Sequence, residues 1–492
     1  MRRSHSQPGN AMTAEAALEP PSRPSLVAWR DLLAEGRAPA LALILLGCWV
    51  VAADSLVTAT IMPSVGASLD GYAWFGWAGS GFMTGLVVVG ASAGWLAERI
   101  GLRSAMMLAG AAFAAGCALS AAAPGIALFL AGRAVQGCAA GWVCGLIYVA
   151  LALLFPGRHL PRVFALATSV WGIATFAGPL IGGLFADAGM WRGVFWLFAG
   201  QALLFTAAAW TLIPAGADRS GGGRLPAGAL LLLALGISAV ATAGVVASLT
   251  LSILLAAAGI ALLLAALALD RAGPESLIPR RRGPFPLGTA YLTYFATTAA
   301  ATAFALYAPV MLQFSAGLSA LEAGYVVAIE ALAWTAASLS VSGAGEAWRG
   351  RLIVAGAAAI LAGVTGVAVL MDGGSLAAIA AAGALLGAGF GLSYSFLGQR
   401  VIGSFDDAGR ARGASAIGAV RNAGGALGAA LAGIAANAAG FGQGLSQANF
   451  SLVAWGAFGI GIPFALAGLI GAVRLTRAPR SAQAGRGVSA SA

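Results

Sequence analysis

Four ionisable side chains, Asp54, Arg133, Glu330 and Arg421, stand deep inside long apolar runs of the chain. A charge at the centre of a bilayer costs about 2.5–3.5 kcal/mol even on the mildest insertion scale, so each is a candidate for handling an ion or a substrate. At a ~1.5 Å rise per helical residue, Asp54 lies roughly 14 Å from the outer end of its run, Arg133 roughly 11 Å and Glu330 roughly 15 Å. The three therefore share a depth near the midplane. Asp54 beside Arg133 would form an ion pair worth about 4 kcal/mol at ~4 Å and an effective dielectric of ~20. A carboxylate whose neighbours change with conformation can load a proton on one side of a membrane and release it on the other. Asp54 is the first candidate for that role and Glu330 the second. Glu330 also suits a cationic ligand, and a fixed structural salt bridge is the plain alternative for Asp54. Arg421 falls nearer the cytoplasmic end of its run, where a long side chain can snorkel.

The elements that must position these residues are helices. The chain has 492 residues, 60% hydrophobic and only 9% charged, whereas soluble domains carry about 25% charged residues. Apolar runs of ~20 residues, each able to cross ~30 Å of hydrocarbon, recur along nearly the whole length. In lipid every backbone polar group must be paired internally, and continuous rather than alternating apolarity selects helices over a barrel. Fourteen spans are expected. A polar N-terminal tail occupies 1–38, with a short interfacial helix around Leu26 to Leu33. A six-helix bundle follows at 39–213, a central linker with two extra spans at 214–287, a second six-helix bundle at 288–474, and a C-terminal tail at 475–492.

The net charge of +10 comes from 27 basic residues, every one of them Arg. All but Arg133, Arg192 and Arg421 fall in the tails or in alternate loops: Arg99 and Arg103, Arg158 and Arg162, Arg219 and Arg224, Arg271 with Arg280 to Arg282, Arg349 and Arg351, then Arg400, Arg410 and Arg412. The intervening loops and their edges hold Asp70, Asp187, Glu322 and Asp372 with a single Arg192. That asymmetry places both termini in the cytoplasm, and it is not the clustered footprint of a nucleic-acid binder. Without Lys no phosphate-binding Gly-x-x-x-x-Gly-Lys loop can form, which argues against an ATPase. Cys48, Cys117, Cys138 and Cys144 lie inside the runs as small hydrophobes. The two His, His5 and His159, lie outside them, so no metal centre, catalytic cluster or cofactor is expected.

Several ordered stretches resemble one family. The loop after the second run reads Gly94-Trp95-Leu96-Ala97-Glu98-Arg99-Ile100-Gly101-Leu102-Arg103, similar to the signature loop of the major facilitator superfamily. Span one carries Asp54-Ser55-Leu56-Val57-Thr58-Ala59-Thr60-Ile61-Met62-Pro63, and span four carries Gly132-Arg133-Ala134-Val135-Gln136-Gly137. Span five carries Gly172 and then Gly178-Pro179-Leu180-Ile181-Gly182-Gly183, and Trp191-Arg192-Gly193 opens span six. Together these resemble the drug:proton antiporters of the fourteen-span branch. Two departures stand out: Glu98 where that family usually has Asp, and a charged Glu330 in span ten. Gly343 to Arg351 looks like a degraded copy of the signature loop at the equivalent place in the second half.

The resemblance implies a fold of two six-helix bundles plus two central helices, working by alternating access. Gly94, Glu98, Arg99, Gly101 and Arg103 would latch the inner face, by pairing across the halves and with a helix N-terminus near Gly413. Gly178, Pro179, Gly182 and Gly183 would form a stiff, leak-tight contact between the halves that favours exchange over co-transport. The expected protein is a bacterial inner-membrane exporter of small amphiphilic or cationic compounds, driven by the proton gradient and monomeric. Asp54, Arg133 and Glu330 would couple protons, and Trp171, Tyr307 and Trp334 would line the cavity together with Asp54 and Glu330. A proton symporter importing a metabolite, and a membrane sensor or scaffold that transports nothing, are the alternatives.

Overall fold

In the computed structural model the described residues are 37–69, 75–214, 226–243, 246, 248–273, 286–318, 320–405, 407–441 and 445–477. The expected interfacial helix around Leu26 to Leu33 and most of both tails lie outside them, as do Asp70, Arg219, Arg224 and Arg280 to Arg282.

Every described element is helical. The first set runs α1 (Ala38–Ser68), α2 (Phe75–Gly90), α3 (Ala93–Ile100), α4 (Leu102–Ala121), α5 (Ile126–Leu154), α6 (Leu160–Asp187) and α7 (Trp191–Leu212). Two further helices follow, α8 (Ala227–Ala243) and α9 (Leu249–Ala272). The second set is α10 (Leu287–Ala316), α11 (Ala320–Val341), α12 (Glu346–Leu370), α13 (Leu376–Gly403), α14 (Asp407–Ala438), α15 (Phe450–Gly459) and α16 (Gly461–Arg477).

Twelve helical stretches among the described residues are long and apolar enough to cross a membrane, α15 and α16 counting as one stretch. This is a multi-pass membrane protein. Two of the expected runs take a shorter form. The second is α2 and α3 separated by a turn at Ala91 and Ser92. The seventh is α8, an apolar helix of 17 residues. At ~1.5 Å per residue such a helix reaches only ~26 Å, just under the usual hydrocarbon thickness.

Local chemistry sets the helix ends. Pro stands in the first turn of α1 and of α6, where its missing N–H is not needed. The Ser248 and Ser375 side chains accept the backbone N–H of Leu251 and Ala378 and cap α9 and α13. Gly101 joins α3 to α4 at φ 84° and ψ 151°, a backbone conformation essentially restricted to glycine.

Within the first set, α2 and α4 pack on α5, α4 on α7, and α1 on α6. Within the second, α12 and α11 pack on α13, and α14 and α16 on α10. The sets meet along two seams: α14 against α5, α3 and α2, and α6 against α11 and α13. The α8–α9 pair leans on α14, and α8 also touches α2. Phe113, Phe129, Phe195, Phe198 and Phe205 are fully buried in the first set, as are Tyr294, Phe304 and Phe396 in the second. Leu180, Leu184, Leu203, Leu254 and Leu452 are each about 60% exposed, so the apolar side chains continue out to the surface, as a lipid-facing exterior requires.

Candidate functional site

The carboxylate of Asp54 is wholly buried and fully engaged. Arg133 Nη1 donates to its Oδ2 at 2.8 Å, and Gln136 Nε2 donates to its Oδ1 at 3.2 Å. Arg133 and Gln136 are three residues apart on α5 and so share a face, with Arg133 Nη1 also donating to Gln136 Oε1 at 3.1 Å. Ser120 Oγ donates to the same Gln136 oxygen at 3.1 Å, and Cys117 Sγ accepts from Gln136 Nε2 at 2.9 Å. Small residues make this possible. A side-chain carbon on Gly116 of α4 would lie 2.7 Å from the Gln136 backbone nitrogen, so the two helices touch backbone to backbone. The Phe82 ring of α2 covers the guanidinium at 4.4 Å. Asp54 and Arg133 thus form the expected pair, inside the first set of helices.

Glu330 is placed differently. It sits on α11, partly buried, and its carboxyl takes neither an ion pair nor a hydrogen bond among the described residues. Its backbone carbonyl presses so closely on Gly387 of α13 that a side chain there would overlap it. One helical turn further on, Trp334 stacks on Phe390 at 4.7 Å and meets Tyr394 edge-on at 5.7 Å. Tyr294 packs on Tyr394 at 4.7 Å, and its hydroxyl donates to the Tyr394 carbonyl at 2.8 Å. Thr297 and Thr298 both meet the Tyr394 hydroxyl at 2.8 Å.

Arg421 enters this cluster from α14. Its guanidinium lies 5.3 Å from the Tyr394 ring centre and 5.8 Å from that of Trp334, and Nη1 donates to the Tyr148 hydroxyl of α5. Arg421 therefore does not snorkel. The helix begins at Asp407, six residues before the expected start, which puts Arg421 near its centre. The same early start leaves Gly413 two turns inside α14 rather than at its N-terminus.

The latch is assembled at the Arg-rich ends. Arg412 Nε donates to Glu98 Oε1 at 2.8 Å, joining α3 to α14, with Glu98 nearly buried. A side-chain carbon on Gly94 would lie 2.6 Å from Ser415 Oγ and 2.8 Å from Arg412 Cα, so only glycine lets α3 lie this close. Arg99 stacks on Trp95 at 5.8 Å. Arg103 does not cross between the sets; it lies 4.3 Å over Trp210 of α7. A second tie runs from Gln399 Nε2 to the Gly157 carbonyl. In the copy of the signature loop, Arg349 pairs locally with the exposed Glu346 at 3.3 Å.

On α6, side-chain carbons on Gly178 and Gly182 would lie 2.7 Å from Leu56 and Thr60 of α1, so both seat α6 flush on α1, and their contact lies within the first set of helices and not between the halves as expected. Gly183 faces open space, and α6 runs helical through position 179. Two of the expected cavity aromatics stand apart from the Trp334 group. Trp171 is 43% exposed beside Gly172, which faces Thr335 of α11. Tyr307 packs edge-on against Phe441 at 5.4 Å.

The model of the family described as Major Facilitator Superfamily matches residues 44–429. The chain belongs to that superfamily. Its members are transporters, not enzymes, and this chain is a transporter by the same token. Two curated relatives from Mycobacterium tuberculosis, strains CDC 1551/Oshkosh and ATCC 25618/H37Rv, are each described as a probable multidrug-efflux transporter. Each is 29% identical over 404 residues, covering 79% of this chain and 84% of the relative. The fold matches that of the proton:xylose symporter XylE bound to 6-bromo-6-deoxy-D-glucose, with TM-score 0.63, 15% identity, and 90% and 95% of the two chains covered. It also matches the human organic anion transporter MFSD10 (TETRAN), with TM-score 0.66, 16% identity, and 89% and 99% covered.

Within this superfamily fold, the structure adds residues that the sequence did not single out as a site. Gln136 was visible inside a motif, but its bond to Asp54 was not. Ser120, Cys117 and Phe82 carry no motif. Tyr148, Tyr294 and Tyr394 come from three helices and meet around Arg421, so nothing in their order along the chain marked them.

Proposed function

We propose that this chain is a proton-coupled exporter of small amphiphilic compounds, cationic ones included. It works by alternating access as a monomer in a bacterial cytoplasmic membrane, with the Arg-rich face and both termini inside. In this reading α2 with α3, and α8, each complete a span, making fourteen: two six-helix bundles over 39–213 and 288–474, and two central helices between them.

The observation that carries the reading is Glu330, a carboxyl on α11 one turn before Trp334, which no cation holds among the described residues. It can exchange a proton or meet a cationic substrate without first breaking an ion pair. Asp54 is the second coupling carboxyl. It takes part only when the Asp54–Arg133–Gln136 network opens, and removing one partner of a buried pair costs about 3–5 kcal/mol. A membrane potential of ~100 mV supplies about 2.3 kcal/mol per charge moved, enough for one proton to drive modest accumulation. The Glu98–Arg412 and Gln399–Gly157 ties support a form sealed on the cytoplasmic side, with Gly178 and Gly182 holding α6 on α1 as the halves rock. The names of the mycobacterial relatives support efflux over import.

The test uses everted vesicles with an imposed proton gradient and a panel of amphiphilic dyes. Wild type should dissipate the gradient when a substrate is added. Glu330→Gln should abolish that response at an unchanged amount of folded protein, and Asp54→Asn should lower both. A Glu330→Gln response equal to wild type for every dye overturns the coupling role. Movement of dye out of everted vesicles with protons would make the protein an importer.

A further inference from the structure

Arg421 is a cation without a carboxylate. Its described partners are the Tyr148 hydroxyl and the faces of Trp334 and Tyr394, and no ion pair to it occurs among the described residues. Two donors in this cluster are buried and take no hydrogen-bond acceptor: Arg421 Nε and Trp334 Nε1. A charge this far into a membrane protein is costly unless paired, and a buried donor without an acceptor loses the hydrogen bonds it made in water. Both deficits are of one kind, since what each donor lacks is an acceptor, and a negatively charged acceptor suits either. The position suits a ligand. Arg421 and Trp334 are only partly buried, and Arg421 bridges the halves through Tyr148. The surrounding walls are aromatic: Phe390 and Tyr394 on one side of Trp334, Phe164 beside Tyr148 at 5.8 Å.

Other groups that face Arg421 do not remove the deficit. Tyr148, Tyr294 and Tyr394 are neutral phenols already engaged in hydrogen bonds, and Cys144 on α5 is a neutral thiol. Glu330, one turn before Trp334, makes no bond to Arg421. Asp54 is held by Arg133 and Gln136.

We propose that Arg421, with Trp334 Nε1, is an anion-recognition site for substrate, and that the transported compounds include aromatic molecules bearing a carboxylate. The carboxylate takes the Arg421 fork and the indole N–H, and the aromatic body lies against the Trp334–Phe390–Tyr394 wall. The inference rests on the transporter reading of the central seam and narrows its substrate class: with Glu330 nearby, a zwitterionic aromatic compound finds a partner for each charge.

The test is binding to the purified full-length protein in detergent with no proton gradient, so failure of coupling leaves its result untouched. The probes are 2-naphthoate and 2-naphthalenemethanol, which share one ring system and differ in the carboxylate. Charge-assisted bonds are about twice as strong as neutral ones, so 2-naphthoate should bind at least about ten-fold more tightly than the alcohol. Arg421→Gln should bring the ratio to about one, and Arg421→Lys should keep part of it. Should Arg421→Gln fail to fold, the wild-type ratio together with Arg421→Lys decides. Equal binding of the two probes, no binding of 2-naphthoate up to millimolar concentration, or the same ratio in a folded Arg421→Gln protein would each overturn the proposal.

Discussion

Replacing Asp54 by Asn keeps the shape of the side chain and removes its charge, leaving Arg133 in place but uncompensated. In the structure Arg133 is 3% exposed and Asp54 wholly buried, with Nη1 and Oδ2 2.8 Å apart. Breaking such a pair from one side costs about 3–5 kcal/mol. The Phe82 ring and the Gln136 amide remain, and a desolvated cation–π contact holds about 2 kcal/mol of attraction, so the lower end of that range is expected. Arg133→Gln should cost a similar amount, because it strands the carboxylate. The double variant removes both charges and should lose less than the sum of the singles by about 0.5–3 kcal/mol, the coupling expected of residues in contact. Graded heating of detergent-purified protein, followed by size-exclusion recovery, gives the order of the four proteins. Titrated unfolding in denaturing detergent gives the energies. Strictly additive losses, or an Asp54→Asn protein as stable as wild type, would refute the description of this network as a closed, mutually dependent set.

Two further outcomes follow from the seams. Glu98→Gln replaces the charged bond to Arg412 by a neutral one, and hydrogen bonds to charged groups contribute about 1.5–3 kcal/mol. The form closed at the Arg-rich ends should lose roughly ten-fold in population, read as a longer-distance component between spin labels at Gly157→Cys and Gly403→Cys; an unchanged distance distribution would show that the latch does not set the equilibrium. Gly182→Ala puts a methyl 2.7 Å from Thr60 and 3.1 Å from the Val57 carbonyl, whereas Gly183→Ala meets nothing within 4 Å. The first should lower stability by about 1–3 kcal/mol through overpacking and slow transport, the second should leave melting and transport near wild type, and equal behaviour of the pair would refute the close α1–α6 seat.

Much of the molecule is written in its composition and order. Long uncharged runs can only be helices in lipid, because a closed barrel, the other structure that pairs the backbone there, needs alternating rather than continuous apolarity. Other positions were also legible: Glu98 in a signature loop that pairs across the halves, and Asp54 and Arg133 at matching depth on separate spans. Residue depth is a one-dimensional quantity, and counting along a run yields it. Angular position is not, and that is where the tertiary structure decided. Asp54 and Glu330 have similar depth, yet one faces into the first bundle against Arg133 and Gln136, and the other sits on α11 with no cation bound to it among the described residues. Arg421 has an unremarkable place in its run, but an earlier helix start and the convergence of Tyr148, Tyr294, Trp334 and Tyr394 from four other helices make it the centre of an aromatic cluster. Weak hydrophobic periodicity in spans apolar on every side leaves the facing of each helix unmarked. Only packing against particular neighbours fixes it, and with it which charges meet and which are left for a substrate.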